Sequence, residues 1–331
     1  MSAATDQPLV LYHANCWDGF AAAWAFHRVH PDAEFQPVQY GQRPPDVAGR
    51  EVYILDFSYP REVLLEMHQA AKSLLVLDHH KTAEAELAGL DFCEFDLNRS
   101  GGRLAWERFI DRQPPWLITY TEDRDLWRWA LRCSREINAA LRTLPLDFAS
   151  WDDLHTDPDA AERLATEGAA ILRAEQVLIR AHVAQAAELE IDGHQVRCVN
   201  ATVLASEIAG ELAKDRPFGV VWFEGDNNER VYQLRSQEGG VDVSTIAKRH
   251  GGGGHARAAG FRAPATGATG LFSHGRASDH DEGDLRLAIS CDRRKGLVNI
   301  DLGTSATWLG ITKDQARQFA ALLVRYAERL P

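Results

Sequence analysis

Over the first eighty residues, short apolar runs alternate with stretches of helical spacing. Pro8-Leu9-Val10-Leu11-Tyr12 reads as a buried strand, Gly19 to Val29 as a helix rich in Ala, Trp and Phe, and Glu51-Val52-Tyr53-Ile54-Leu55-Asp56 as a second strand. Arg61 to Lys72 follows Pro60 with helical spacing, and Ser73 to Asp78 is again a strand. Strands separated by single helices predict a parallel sheet with crossovers. Ligands of such sheets bind beyond the carboxyl ends of the strands, where His13, Asp56 and Asp78-His79-His80 fall.

Further along, residues 102–110 and 115–143 read as helices, the second interrupted around Arg132-Cys133-Ser134. Trp151 to Glu190 is rich in Ala, Glu and Leu at helical spacing and suits a bridge between lobes. After the turn signal Asp192-Gly193 come a strand (Gln195 to Asn200), a helix (Val203 to Lys214), two strands (Gly219 to Glu224, Val231 to Ser236) and a short helix (Ser244 to His250). Ala263 to Asp284 has the composition of a linker, and Leu285 to Asp292, Leu297 to Leu302 and Lys313 to Leu330 read as two strands and a helix. The expected architecture is α/β: a parallel-sheet domain over 1–150, a helical bridge over 151–190, a smaller α/β domain over 191–264 and a small α+β module over 285–331.

Charge narrows the function. Lys and Arg number 36 against 48 Asp and Glu, for a net charge of -12. A protein gripping a long polyanion shows a basic stripe, so a small anionic ligand is expected and long nucleic acid is not. No apolar run approaches the roughly 18 residues of a membrane helix, and Met1 to Val10 lacks a signal-peptide pattern. With five scattered cysteines and no C-x-x-C pair, reduced thiols and a cytoplasmic chain without membrane contact are expected.

Two segments carry the chemistry. Val76-Leu77-Asp78-His79-His80 places a carboxylate and two imidazoles at a strand end, and His13, Asp18, Asp56, Asp123 and Asp125 are further candidate ligands. Metal-assisted phosphoryl chemistry needs several carboxylates to neutralise the cations, and admixed imidazole favours Mn, Fe or Zn over Mg or Ca. The second segment is Gly251-Gly252-Gly253-Gly254-His255, whose glycines permit an anion-binding nest of backbone N–H groups with His255 as an added donor.

Both signatures, in this order, make residues 9–264 resemble the DHH phosphoesterases with a DHHA1 domain. The resemblance implies that Asp56 bridges two metals, that Asp18, His79 and Asp123 ligate one of them, and that His80 faces the scissile phosphate with Asp78 in the same cluster. It also implies that Arg235 and the loop of Gly252, Gly253, Gly254 and His255 bind the substrate end away from the scissile bond. The first motif departs from the family, which has a histidine followed by two aspartates. In His13-Ala14-Asn15-Cys16-Trp17-Asp18, Asp18 matches the second aspartate and Asn15 or Cys16 stands for the first. One metal site is thus complete and the other is left with His13 and Asp56. The reading is a phosphoesterase using one or two Mn ions, with Mg, Fe or Zn as substitutes, acting on short oligonucleotides, cyclic dinucleotides or nucleoside bisphosphates. It leaves room for a homodimer. The alternatives are a nucleotide-binding sensor with weakened catalysis and a single-strand exonuclease. Ser100 in Asn98-Arg99-Ser100-Gly101-Gly102 reads as a helix cap, Trp127, Trp129 and Trp151 read as packing, and Arg249 and His250 are candidate helpers of the anion site.

Overall fold

The computed structural model describes residues 7–110, 112–225, 229–264, 288–292 and 297–301, together with positions 320, 323, 324 and 328. The first lobe runs β1 (Leu9–His13), α1 (Trp17–His27), β2 (Glu34–Val38), β3 (Glu51–Leu55), α2 (Arg61–Ala70), β4 (Ser73–Asp78), α3 (Lys81–Leu87) and β5 (Cys93–Phe95). These strands form one parallel sheet in the order β2-β1-β3-β4-β5. The order reverses between β1 and β3, which opens a crevice at their carboxyl ends. Along β1 the side chains alternate: Val10 joins a core with Leu55 and Leu77, whereas Leu9 and Leu11 join another with Leu64 and Met67 of α2. Helices α4 (Gly101–Phe109), α5 (Trp116–Asp125), α6 (Ser134–Leu141), α7 (Phe148–Thr156) and α8 (Ala160–Ala184) follow, and most contribute to the first of these cores.

Two strands escape the hydrophobic pattern. In β2, Glu34-Phe35-Gln36-Pro37-Val38 is half polar and contains a proline, tolerated because the strand is an edge without a partner on its far side. The other, β5, is the opposite edge and only three residues long. The expected interruption of the helix over 115–143 is wider than Arg132-Cys133-Ser134, because Trp127, Trp129 and Cys133 all adopt left-handed backbone between α5 and α6.

The bridge is α7 and α8, but helix ends at Ala184 and the remainder is β6 (Ala187–Ile191). Its Ala-Glu-Leu-Glu-Ile alternates with period two, and it pairs antiparallel with β7 (His194–Asn200) across Asp192-Gly193, whose φ values of 51° and 80° suit a tight hairpin. The second lobe continues with α9 (Ala205–Leu212), β8 (Gly219–Glu224), β9 (Glu229–Arg235), α10 (Val243–Arg249), β10 (Gly253–His255) and β11 (Ala258–Pro264). Its sheet has the order β10-β11-β9-β8-β7-β6, parallel only between β7 and β8. One face packs Val196, Val220 and Leu234 on Ile246 of α10, while the other packs Val199 and Val221 on α9 and on Ile179 of α8. Helix α8 meets the first lobe so closely that a Cβ at Gly168 would lie 1.7 Å from the Glu136 carbonyl. The bridge is therefore packed into both lobes.

Strands β12 (Ala288–Asp292) and β13 (Leu297–Asp301) pair antiparallel where two strands are expected. Ala263 and Pro264 close β11 and do not open a linker; the rest of that linker, and most of the helix expected over 313–330, lie outside the described residues. No described helix is long and apolar enough to cross a membrane.

Candidate active site

The crevice at the sheet's reversal gathers the charged side chains. His13 ends β1, and α1 begins four residues later with Asp18 in its first turn; a Cβ at Gly19 would meet the His13 carbonyl at 2.4 Å, so only glycine lets the helix start this close. Asp56 follows β3 in left-handed backbone at φ 55°, a strained conformation for a side-chain-bearing residue. The amino end of α4 closes the crevice floor. Gly101 and Gly102 donate their N–H groups to the two carboxylate oxygens of Asp18 at 2.6 and 3.1 Å, and a Cβ at Gly101 would lie 2.5 Å from that of Asp56. Ser100 caps this helix by accepting from the Arg103 N–H, as the sequence suggests.

Asp18, Asp56 and His79 are each 1% exposed, so these charges sit out of water. His79 Nε2 lies 3.0 Å from Asp56, 3.6 Å from Asp18 and 3.4 Å from Asp125, and His13 Nδ1 lies 3.4 Å from Asp56. Three ligand sets result among the described residues, Asp18-His79-Asp125, His13-Asp56-His80 and His79-His80-His255, each with ligand atoms within 4.8 Å of one another. Burial together with Asp56 and Asp125 pushes the Asp18 carboxyl well above its usual pKa. Burial works the same way on Asp56, but hydrogen bonds from His13 and His79 outweigh it and hold Asp56 well below. Burial opposes charge on His79 too, yet Asp56, Asp125 and Asp18 raise its pKa to about 10. Crowded carboxylates that draw in protons in this way suit divalent cations, as does the buried Asp125 Oδ2, which makes an ion pair with His79 but no hydrogen bond. The residues present fit a metal.

Three sequence expectations change. Of the two acidic residues near the end of α5, Asp125 reaches the cluster and Asp123 does not: the Asp123 carboxylate accepts the N–H groups of Ala130 and Leu131 at 2.9 and 3.3 Å, which pins the loop after the helix. Asp78 stands behind the cluster, fully buried, accepting from Ser58 Oγ at 2.5 Å and from the His79 N–H at 2.7 Å. Its Oδ1 lies 2.6 Å from His80 Nδ1, so it orients the ring and leaves Nε2 free. Burial lowers the His80 pKa, but Asp78 more than compensates and the net shift is upward. Of the pair at the altered first motif, Asn15 is exposed, while the Cys16 thiol donates to Asp56 at 3.5 Å. Burial, Asp56, Asp125 and Asp18 push that thiol well above its ordinary pKa, which keeps it protonated.

The third change concerns the glycine run. Gly251 and Gly252 donate to the Lys248 and Ala247 carbonyls, and Gly254 donates to Thr82 Oγ1 of the first lobe at 3.1 Å, so these amides are engaged and do not form an open nest. The glycines serve close approach: a Cβ at Gly253 would lie 2.5 Å from Thr82 Oγ1, and one at Gly252 would lie 2.1 Å from the Gly260 carbonyl. Thr82 and Lys81, which pairs with Asp242 at 2.5 Å, thereby dock α3 on the second lobe. Docking carries His255 onto the signature histidines, its ring 4.5 Å from His79 and 4.6 Å from His80. His255 thus sits against the signature histidines. Arg235 lies further out, bonded to Ser206 Oγ at 2.7 Å and over the Trp127 ring at 5.7 Å; burial pulls its pKa down to about 10, which leaves it charged at neutral pH. Arg249 and His250 are turned to Asp192 at 3.1 and 3.5 Å. Trp151 is core, and Trp129 lies against Arg135.

Residues 198–273 match the DHHA1 domain family. The second lobe thus carries a DHHA1 domain. The chain is 27% identical over 282 residues to an uncharacterized protein of Acanthamoeba polyphaga mimivirus, covering 76% of itself and 66% of the relative. It is 28% identical over 225 residues to the oligoribonuclease NrnB of Bacillus subtilis, covering 60% of itself and 55% of NrnB. It therefore spans less than two thirds of the length of either relative. A solved structure of RecJ with Mn2+ from Thermus thermophilus overlays with a TM-score of 0.44 at 16% identity, covering 77% of this chain and 49% of RecJ.

Proposed function

We propose that the protein is a Mn-dependent phosphodiesterase of short oligonucleotides or small nucleotides. The observation that supports this reading is the meeting of a buried carboxylate and imidazole cluster on one lobe with His255 of the other. Asp18, Asp56, Asp125, His79 and His13 would hold the ions, which when bound supply Lewis-acid activation of water and of the phosphoryl group. His80, fixed by Asp78, presents Nε2 to a phosphoryl oxygen, and His255 closes over the same point so that water other than the reactant is excluded. The test is a panel with Mn present: di- to pentanucleotides, cyclic dinucleotides, adenosine 3',5'-bisphosphate and long single strands. Turnover should favour the shortest substrates. Its dependence on salt should be shallow, with a slope near -0.7 per phosphate contact and about one to three contacts in all. Processive degradation of long strands, or no turnover of any of these, would remove the proposal.

The position of His255 adds a second test. Because it lies on His79 and His80, His255→Ala is expected to slow both a dinucleotide and the generic ester bis-p-nitrophenyl phosphate, each by roughly tenfold to a hundredfold, the loss of one charge-assisted hydrogen bond. Unchanged hydrolysis of the generic ester would return His255 to a remote subsite.

A further inference from the structure

Among the described residues Tyr40 is the only exposed Phe, Tyr or Trp, at 49%, and it stands at the candidate site. It comes two residues after β2, at the carboxyl end of the parallel sheet. The Ala14 N–H, next to His13, donates to the Val38 carbonyl at 2.9 Å and ties the end of β2 to the first motif. A tight turn follows. Gln42 donates its N–H to the Gln39 carbonyl at 3.2 Å, the Gln39 N–H donates to Gln42 Oε1 at 3.2 Å, and Gly41 takes left-handed backbone at φ 86°. The Tyr40 ring lies 4.5 Å from Phe57 at 38°, 5.5 Å from His13 at 78° and 6.3 Å from His80 at 82°. Phe57 is 1% exposed and meets the Tyr59 ring at 4.9 Å, so the surface that backs Tyr40 is fixed by the core.

A single exposed tyrosine is ordinary, but one held beside a phosphate-handling crevice has a specific use. Aromatic rings stack on nucleobases, and the contact is indifferent to sequence because every base has a π-face. The other aromatic candidates differ: Arg235 lies 5.7 Å from the Trp127 ring, Arg135 lies 4.5 Å from the Trp129 ring, and Trp151 is core. His80 has His255 at 4.6 Å and Tyr40 at 6.3 Å, and in a nucleotide a single sugar joins the phosphate to the base. We propose that Tyr40 is a stacking platform for a nucleobase of the substrate, the base next to the phosphate that meets His80, and that it makes the site select nucleotides over sugar phosphates. This rests on the phosphodiesterase reading of the metal cluster. Since Tyr40, Phe57, His13 and His80 all belong to the first lobe, the platform does not depend on the second.

The test uses diadenylate and its two analogues in which one adenine is replaced by hydrogen, as substrates of the Mn-loaded protein. The wild type should lose roughly fivefold to a hundredfold in kcat/KM on one of the two analogues, mainly through KM. Tyr40→Ala should lose a similar factor on diadenylate, lose nothing further on that analogue, and keep its bound metal. Tyr40→Trp restores an aromatic face and should recover most of the loss. Equal losses by Tyr40→Ala on all three substrates, or a fall in its bound metal, would overturn the assignment, because the ring would then only brace His13 and His80. If no substrate is hydrolysed, the phosphodiesterase reading fails, and calorimetry still decides the platform. Tighter binding of adenosine 5'-monophosphate than of ribose 5-phosphate, removed by Tyr40→Ala, supports it; equal binding of the two by the wild type overturns it.

Discussion

Asp56→Asn is expected to abolish turnover, by about a thousandfold or more, and to lower the bound divalent metal, with the fold retained. Asp56 lies 3.4 Å from His13 Nδ1 and 3.0 Å from His79 Nε2, at the meeting of the candidate ligand sets, so its charge is the one expected to let cations share the crevice. Removing charge stabilisation worth several kcal/mol accounts for a loss of that size. Asn is the substitution that isolates this effect, because it is isosteric and tolerates the left-handed backbone that Asp56 adopts at φ 55°. Metal analysis, circular dichroism and kinetics on one preparation decide the matter. Near-wild-type rates in a folded variant would sink the whole cluster assignment.

The second large effect separates two aspartates that lie two residues apart. Asp125→Asn should remove a ligand, reducing metal content and cutting turnover by roughly a hundredfold while thermal stability changes little. Asp123→Ala should do the reverse. It loses two charge-assisted hydrogen bonds to the Ala130 and Leu131 N–H groups, at about 1.5 to 3 kcal/mol each, so unfolding should shift strongly while the metal complement is kept. Loss of metal from the Asp123 variant, with Asp125→Asn unaffected, would restore Asp123 as the ligand.

That pair also marks how far the sequence could be read. Periodicity marks β1, β3 and β4 because each is a mainly apolar and largely buried run, and strand ends mark His13, Asp56 and the signature histidines. It could not choose between Asp123 and Asp125, because the choice depends on where α5 ends and which carboxylate the following loop captures. Strand β6 was hidden because its glutamates continue the composition of α8, although Asp192-Gly193 carried the hairpin signal. The glycine run was legible as a place of close approach, but what it approaches lies 172 residues away in sequence, at Thr82.

Lys81 and Thr82 follow His80 directly, and they hold the second lobe through Asp242 and Gly254. The turn that orders the charged cluster is therefore also the turn that docks the lobes, and the two equilibria are thermodynamically linked. Whatever binds across the docked faces favours docking by the same factor by which docking favours its binding. Undocked, the chain would keep the candidate ligands of its first lobe but lack His255, and would hold cations without being committed to a substrate. The latch makes readiness a population that ligand concentration sets, and loosening it would trade affinity for speed of release.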